Sequence, residues 1–215
     1  MGGYTETASF LIERGAKIDS KTLNDETPLY VAANRGYTET ANFLIEKGAK
    51  VDAKNQHGET LLYMAARSKD YNVLELLIQK GANVNELSPN VSVLFVAAEN
   101  GDERLAKILI DNNADINSKS AISGYTPLSW AATSNQINIV HFLIKNGADV
   151  NTKDNNSQET TLHEMAHQGK PEIAKILLES GASLIHKDKN GNDAMESSLE
   201  SKRIEVFKTI LAFQQ

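Results

Sequence analysis

The chain has 215 residues, of which 40% are hydrophobic and only 6% aromatic, so its core must be aliphatic and thin, which suits a solenoid better than a globule. Its formal net charge of −6 and the absence of any run of basic residues argue against a nucleic-acid partner, because phosphate binding needs clustered Lys and Arg. The lack of cysteine excludes disulfides, thiolate catalysis and cysteine-based zinc sites, and no stretch approaches the ~20 apolar residues of a membrane span.

The chain opens on a segment that is repeated further along. Residues 3–17 match residues 36–50 at 13 of 15 positions, and the later copy forms the second half of a repeat. We therefore expect the opening segment to hold the second helix of a repeat whose first helix is missing, either because a longer protein was cut there or because a cap was lost. One side of this helix should be uncovered, with Phe10 and Leu11 more exposed than their counterparts Phe43 and Leu44.

Two landmarks then recur at steps of 32 to 34 residues. One is a Gly-Ala pair, replaced once by Asn-Ala: Gly15-Ala16, Gly48-Ala49, Gly81-Ala82, Asn113-Ala114, Gly147-Ala148 and Gly181-Ala182. The other is a Thr or Ser that precedes a short apolar run: Thr27-Pro28-Leu29, Thr60-Leu61-Leu62, Ser92-Val93-Leu94, Thr126-Pro127-Leu128 and Thr160-Thr161-Leu162. The regular spacing indicates an array of similar structural units.

Each unit predicts two short helices. Between Gly124 and Asn151, two apolar stripes at helical spacing are separated by a turn signal at Ser134-Asn135 and closed by Gly147. Thr or Ser can cap the first helix, and Pro28 and Pro127 fall at its first position. The alanine pairs of the first helices allow close approach, and the second helices carry larger stripes such as Leu74, Leu77 and Ile78; Leu105, Ile108 and Leu109; Ile139, Phe142 and Leu143. Helices this short do not persist alone, so each unit needs neighbours.

The succession T-P-L-x-x-A-A, a Gly about three residues later, and an apolar run closed by Gly-Ala resembles the ankyrin repeat over nearly the whole chain. The resemblance implies an all-α repeat solenoid of stacked helix-turn-helix units joined by β-turn or hairpin loops, in a single domain over residues 1–215. The expected units are a partial one at 3–21, followed by 22–54, 55–87, 88–119, 120–153, 154–187 and a degenerate C-terminal one at 188–215.

The last unit departs from this pattern. Asp193-Ala194-Met195 replaces Thr-Pro-Leu, Ser198-Leu199 replaces the alanine pair, and Lys202 stands where Gly is usual. We expect a polar cap formed by Glu196, Ser197, Glu200, Ser201, Lys202 and Arg203, with Phe207, Ile210 and Leu211 covering the preceding unit. Decay of the pattern before a further repeat is the alternative.

Two motifs could be interpreted as chemistry. His163-Glu164-Met165-Ala166-His167 fits the zinc-protease pattern H-E-x-x-H, but these residues fall at ordinary repeat positions and no third ligand has the required spacing. Residues 188–193 resemble a calcium loop by composition, yet the sixth and twelfth positions lack the Gly and Glu of an EF-hand. We therefore predict that the chain is not an enzyme and has no cofactor and no metal site.

In proteins that the chain resembles, turn tips and first helices line a concave groove that binds other proteins. The equivalent positions, together with an apolar patch in the middle of the array, predict these partner-binding residues: His57, Glu59, Arg67, Val91, Glu99, Asn100, Ile122, Tyr125, Trp130, Thr133 and Ser134. The unit at 120–153 has only three charged residues and holds the only Trp. Phe95 and Val96 are expected beside Val91 in the patch; alternatively, Phe95 and Trp130 fill the core between repeats, since Tyr30 and Tyr63 occupy the slot of Phe95.

Several alternatives stay open. Asn117 and Asn151 lie in L-x-x-x-x-x-D-x-N segments that resemble asparagine-hydroxylation sites, and Asn90 and Asn155 begin glycosylation sequons. The preferred function is a scaffold that binds a protein or peptide; the alternative is a targeting module of a larger enzyme, channel or secreted effector. We expect a monomer that binds no nucleic acid and does not insert into a membrane. We expect it in the cytoplasm, or in the host cytosol if it is a secreted effector.

Overall fold

The computed structural model describes residues 3–214, and its regular elements there are thirteen short α-helices. In chain order they are α1 (Gly3–Glu13), α2 (Pro28–Arg35), α3 (Thr38–Glu46), α4 (Leu61–Arg67), α5 (Tyr71–Gln79), α6 (Leu94–Asn100), α7 (Glu103–Asp111), α8 (Pro127–Thr133), α9 (Ile137–Lys145), α10 (Thr161–Gln168), α11 (Pro171–Glu179), α12 (Ala194–Glu200) and α13 (Ile204–Ala212). Over these residues, every helix is too short or too polar to cross a membrane.

The first helix of a repeat begins where its Thr caps the free backbone amides. Thr27 Oγ1 accepts a hydrogen bond from the amide of Tyr30 at 3.2 Å, and Thr60 Oγ1 accepts one from Tyr63 at the same distance. Pro28 and Pro127 occupy the first helical turn, where a missing N–H removes no helical hydrogen bond. The predicted caps at Thr27, Thr60 and Thr126 and the two proline positions are therefore confirmed.

A left-handed residue separates the two helices of each pair. The slot is filled by Gly36, Lys69, Gly101, Asn135, Gly169 and Lys202, all with φ between 57° and 74°. A Cβ at position 101 would clash with Oε1 of Gln136, and one at position 169 would lie 2.9 Å from Cδ of Arg203, so a side chain at either position would force its neighbour to move. A second left-handed position lies after the second helix, at the Gly-Ala pairs. Asn113, which replaces Gly in one of these pairs, also takes the left-handed conformation, with φ 66°, as the spacing predicts.

The core consists of the alanine pairs of the first helices and of apolar residues along one face of the second helices. The buried pairs are Ala32-Ala33, Ala65-Ala66, Ala97-Ala98 and Ala131-Ala132. In the second helices, two members of each predicted stripe are buried, for example Leu74 and Leu77, whereas Ile78, Ile108 and Phe142 are only half-buried. The small first-helix surfaces allow the close packing that the sequence predicts.

The chain divides into two compact units, and α6 and α7 each contribute residues to both. The first runs up to Val96 and includes Asp111–Ala114; within it α2 packs on α3 and α4, α4 packs on α5, and α3 contacts α1 and α5. The second comprises Ala97–Ile110 and the chain from Asp115 onward; within it α10 contacts α8, α11, α12 and α13. In this unit, loops at successive repeats are joined by hydrogen bonds, such as those from Lys119 Nζ to Lys153 O (3.0 Å) and from Lys153 Nζ to Lys187 O (2.7 Å).

Helix α1 is more exposed than its near-identical copy α3, as predicted. Phe10 is 52% exposed and its counterpart Phe43 is half-buried. Leu11 is 51% exposed, whereas its counterpart Leu44 is only 1% exposed. The guanidinium of Arg14 lies 4.1 Å from the centre of the Phe10 ring, and the Tyr4 ring stacks on Tyr37 at 4.7 Å. These surface contacts cover α1 less completely than the core covers α3.

The final repeat differs from the expected polar cap at Ser197, which is buried, and at Leu211, which does not cover the preceding unit. Ile210 is buried and Phe207 is half-buried, in agreement with a covering role, but Leu211 is exposed. Ser197 and Ser198 are fully buried in α12, which packs against α10 and α13. The surface beyond them therefore combines exposed Glu196, Glu200, Lys202 and Arg203 with the exposed apolar residues Leu199 and Ile204.

Candidate partner-binding surface

Two aromatic side chains meet at the surface of the repeat at 120–153. Tyr125 comes directly before the capping Thr126, and Trp130 lies within the following helix α8. Their ring centres are 6.3 Å apart and the ring planes make an angle of 77°, an edge-to-face arrangement that aromatic pairs prefer. Both residues are half-buried, so they are anchored in the fold and still reach the surface.

The hydroxyl of Tyr125 connects this pair to the next repeat. It donates a hydrogen bond to Oε1 of Glu164 on α10. Burial raises the pKa of Tyr125 well above its usual range, and the hydrogen bond to Glu164 adds to the rise. Tyr125 is therefore a fixed, neutral donor at neutral pH, and the carboxylate of Glu164 is held against the aromatic pair.

Acidic side chains continue from Glu164 along the same repeat. The second oxygen of Glu164 accepts a hydrogen bond from Gln168 Nε2 at 3.0 Å, and Glu159 Oε1 lies 3.3 Å from Nε2 of His167. Burial raises the pKa of Glu159; the nearby carboxylates of Glu164 and Asp154 act in the same direction, and His167 opposes them. This part of the surface therefore has an excess of negative charge.

Lys170 interacts electrostatically with Glu164, but its ammonium group is hydrogen-bonded to backbone carbonyls. Nζ donates to Thr133 O at 2.6 Å and to Ala132 O at 3.1 Å, which satisfies two carbonyls at the end of α8. Burial lowers the pKa of Lys170, and Glu164 opposes this shift. Thr133 and Ser134 are half-buried, and Thr133 Oγ1 donates to Trp130 O at 2.9 Å. These contacts hold the end of α8, and with it Trp130, in place.

The cleft behind this surface is too small for a substrate. It is lined by residues that include Tyr125, Glu159 and Glu164, and its cavity volume is about 10 Å³, which is room for roughly one water molecule. A partner would therefore bind on this surface rather than inside it.

The remaining predicted residues of the second unit lie on exposed edges. Ile122 is 68% exposed in the loop that precedes Tyr125. Glu99 and Asn100, at the end of α6, are exposed, and the carbonyl of Glu99 accepts a hydrogen bond from Gln136 Nε2 at 2.9 Å.

The predicted residues of the first unit include a small polar network. Glu59 accepts hydrogen bonds from Asn55 Nδ2 at 2.7 Å and from the hydroxyl of Tyr30 at 3.3 Å, and it lies 4.0 Å from the exposed Arg67. The Arg67 guanidinium also lies 5.8 Å from the centre of the Tyr63 ring.

Two further predicted residues of this unit lie outside that network. His57 is exposed, and its Nε2 lies 3.2 Å from Nε2 of Gln56. Val91 is half-buried, and its carbonyl accepts a hydrogen bond from the amide of Ser88.

The expectation that Phe95 and Val96 join an exposed apolar patch is wrong. Both are buried, so Phe95 fills the core, in agreement with the alternative interpretation. Phe95 lies at the same slot as the buried Tyr30, one position before the slot of Trp130. Val96 does share the slot of Trp130, but its short side chain ends below the surface, whereas Trp130 reaches it.

The H-E-x-x-H residues are held by other partners. His163 is fully buried; its Nε2 donates to Asn192 O at 3.2 Å and its Nδ1 accepts from Thr160 Oγ1 at 2.8 Å. His167 Nδ1 lies 2.8 Å from Ser201 Oγ. The two histidines therefore bridge to the final repeat.

Asn117 and Asn151 have comparable structural roles. Asn117 Oδ1 accepts the amide of Asp149, and Asn151 Oδ1 accepts the amide of Ser183, both at 2.8 Å. In the segment that resembles a calcium loop, Asp188 Oδ1 accepts the amides of Asn190 and Asn192 and so closes a turn. Hydroxylation of either asparagine and glycosylation of the sequons stay hypotheses.

Glu164 is the residue of this surface that sequence reasoning missed. In the sequence it stands out only as part of H-E-x-x-H. The repeat register could have identified Glu164. It lies 34 residues after Trp130, and both follow the capping Thr of their own repeat by four residues. Half-buried residues at that slot in successive repeats lie on the same face.

Comparisons with known proteins agree with this architecture. The family model for ankyrin repeats in three copies matches residues 1–88 and 86–154, and that for a single ankyrin repeat matches residues 157–189. None of the curated proteins matches the chain significantly.

Among solved structures, the human ASB11 ankyrin repeat domain is 26% identical with a TM-score of 0.81, covering 99% of this chain and 94% of that one. The ankyrin repeat domain of Bcl-3, a member of the IkappaB protein family, is 23% identical with a TM-score of 0.85, covering 96% and 91%. The fold is thus an all-α repeat solenoid, and the chain belongs to the ankyrin-repeat family.

Proposed function

We propose that this chain is a non-catalytic scaffold that binds a partner protein or peptide on the face formed by its turn tips and first helices. Ankyrin-repeat domains are generally protein–protein interaction modules, and no enzymatic family is indicated for the chain.

The observation that carries the proposal is the anchored, half-exposed pair Tyr125 and Trp130. Rigid aromatic side chains that reach the surface bury a large area at little entropic cost, so Trp and Tyr dominate the energetics of many interfaces. Ile122, three residues before Tyr125, is exposed and is proposed as a further apolar contact. Thr133, Ser134, Glu99 and Asn100 supply the polar groups expected around such an anchor.

In the first unit, the proposal assigns partner contacts to His57, Glu59, Arg67 and Val91. Arg67 is the strongest of these candidates, because it is exposed and its guanidinium is oriented by both the Tyr63 ring and Glu59. An oriented guanidinium loses less freedom on binding than a mobile one.

The test uses random linear peptides displayed on phage and selected against the whole chain. Because Trp130 is the only tryptophan, its fluorescence reports whether a selected peptide binds at this surface. We expect Trp130→Ala to weaken binding by roughly thirtyfold or more, which corresponds to the ~2 kcal/mol of an interface hot spot. The melting temperature should fall by only a few degrees, since about 1 kcal/mol shifts it by ~2–4 °C in a chain of this size.

Phe142→Ala is the matched control. Phe142 is also half-buried and belongs to the same repeat, but it lies on the second helix α9. This variant should lose stability and keep its affinity for the selected peptides. Peptides that bind Trp130→Ala as tightly as the unchanged chain would refute the proposed surface, and a large loss of melting temperature in Trp130→Ala would assign the side chain to the core.

The monomeric state and the cytoplasmic location stay predictions. Light scattering after size-exclusion chromatography tests the first, because a scaffold that binds through this surface as a monomer should keep the mass of one chain at all concentrations used for binding.

A further inference from the structure

The negative charge beside Trp130 suggests what kind of partner residue this surface accepts. Glu164 belongs to the same network of contacts as the aromatic pair, through the hydroxyl of Tyr125. Resting on the proposed function, we propose that the surface binds a basic side chain, arginine in preference to lysine, placed against the Trp130 ring and paired with the carboxylate of Glu164.

Glu164 carries a charge that its hydrogen bonds do not neutralise. Its oxygens accept hydrogen bonds from two neutral donors, the Tyr125 hydroxyl and the Gln168 amide. A carboxylate has about four lone-pair sites, so it can accept further bonds from a guanidinium. Lys170 is close enough to interact with Glu164 through space, but its Nζ is bonded to two backbone carbonyls.

The neighbouring acids make the surface complementary to a cation rather than to an anion. Glu159 faces His167 at 3.3 Å, and Asp154 accepts the amides of Asn156 and Ser157 within its own turn. An acidic partner would meet the carboxylate of Glu164 with that of Glu159 beside it and the buried Asp154 behind them, whereas a basic one would relieve their mutual repulsion. That repulsion adds to the effect of burial in raising the pKa of Glu159.

The aromatic pair is the reason for proposing arginine rather than lysine as the basic residue. Tryptophan is the best aromatic partner for a cation, and a planar guanidinium can stack on a ring while its N–H groups bond a carboxylate. Trp130 is half-exposed, and the edge-to-face contact with Tyr125 fixes its orientation. An ammonium group would gain the charge interaction but not the planar stacking.

The test continues from the selected peptides. Peptides that bind with a change in Trp130 fluorescence should be enriched in arginine over the unselected library. In one such peptide, replacement of arginine by citrulline, which is neutral and of similar shape, should weaken binding about tenfold, equivalent to ~1.4 kcal/mol. Replacement by lysine should cause a smaller loss.

On the protein side, Glu164→Gln removes the charge and retains an oxygen that can accept the Tyr125 hydrogen bond. It should weaken binding of the arginine peptide about tenfold and leave binding of the citrulline peptide nearly unchanged, so that the two changes are not additive. Glu172→Gln is the matched control, since Glu172 is an exposed acid on the second helix α11 of the same repeat. It should alter neither affinity.

The outcomes separate the two proposals. Peptides that need Trp130 but lack basic residues, or that bind Glu164→Gln unchanged, would overturn the arginine preference and leave the binding surface in place. Peptides that bind without any effect of Trp130→Ala would overturn both. Because the citrulline comparison leaves the protein unaltered, the result does not depend on how well Glu164→Gln folds.

Discussion

At the scale of single residues, two adjacent serines in α12 differ in one hydrogen bond. Ser197 and Ser198 are both fully buried; Ser198 Oγ donates to Met195 O at 2.6 Å, whereas Ser197 Oγ has no hydrogen-bond partner within the described part of the chain. A buried hydroxyl without a partner costs about 1–3 kcal/mol. Ser197 lies at the slot of Trp130 and Glu164, where a longer side chain would reach the surface.

We expect Ser197→Ala to stabilise the protein by about 1 kcal/mol, because it removes the unpaired hydroxyl and keeps the shape of the side chain. The melting temperature should rise by ~2–4 °C in calorimetry. Ser198→Ala, which removes a bonded hydroxyl, should give no such rise. Equal effects of the two substitutions would show that the hydroxyl of Ser197 is satisfied.

His163 should make stability depend on pH. Burial lowers its pKa, against the opposing effect of the hydrogen bond to the Asn192 carbonyl. The unfolded chain therefore takes up a proton at His163 near pH 6.5 while the folded chain does not, so the contribution of His163 to the free energy of unfolding falls as the pH drops below about 6.5 and is constant above it.

The measurement compares urea unfolding of the unchanged chain and of His163→Gln above and below that pH. The raised pKa of Glu159 acts in the opposite sense, because its folded form binds a proton first as the pH falls. The prediction therefore concerns the difference between the two chains: the free energy should fall less in His163→Gln. An identical pH dependence would contradict it.

At the scale of the helix, α1 and α3 share most of their sequence and differ in their surroundings. Since propensity is nearly the same, a difference in protection must come from packing. We expect the amides of α1 to exchange with deuterium faster than those of α3, because Phe10 and Leu11 are exposed and Leu44 is buried. Mass spectrometry of peptides from the two helices measures this directly; equal protection would mean that the exposed residues contribute as much as the buried ones.

The left-handed slot between paired helices gives a second prediction at this scale. Lys69 and Asn135 occupy it with φ of 57° and 59°. Lys69→Gly should stabilise the protein by roughly 0.5–1 kcal/mol, and Asn135→Gly by less, because Asn tolerates this conformation better than Lys. The control is Lys80→Gly, at a position with φ −89°, where Gly should destabilise. Chemical unfolding of the three variants tests the order.

The caps, the turns and the alanine pairs could be predicted because they depend on short-range chemistry. Thr27, Pro28 and Gly36 all act on α2, so their types and spacing are enough. Exposure could not be predicted so well, since it depends on side-chain length and on what lies in the next repeat: Val96 and Trp130 share a slot, yet only Trp130 reaches the surface. The link from Tyr125 to Glu164 joins residues 39 positions apart, and only the structure shows it.

At the scale of the whole molecule, the net charge of −6 affects how fast a basic partner arrives. Attraction between the acidic chain and an arginine peptide should raise the association rate at low salt, and added salt should screen it. We expect stopped-flow fluorescence of Trp130 to show an association rate that falls by up to about tenfold between low and high ionic strength. The citrulline peptide should show a weaker dependence; if both respond equally, charge at this surface does not guide the encounter.

The bonds between successive loops of the second unit have an evolutionary consequence. Lys119 and Lys153 each bond a carbonyl of the counterpart residue 34 positions later, and Asn151 bonds the amide of Ser183 and the carbonyl of Gly181. In each case a side chain bonds to main-chain atoms, which every amino acid except proline supplies in full. A gene that duplicated or deleted one whole repeat would place an equivalent carbonyl or amide at each junction, so the array could change length without new compensating substitutions.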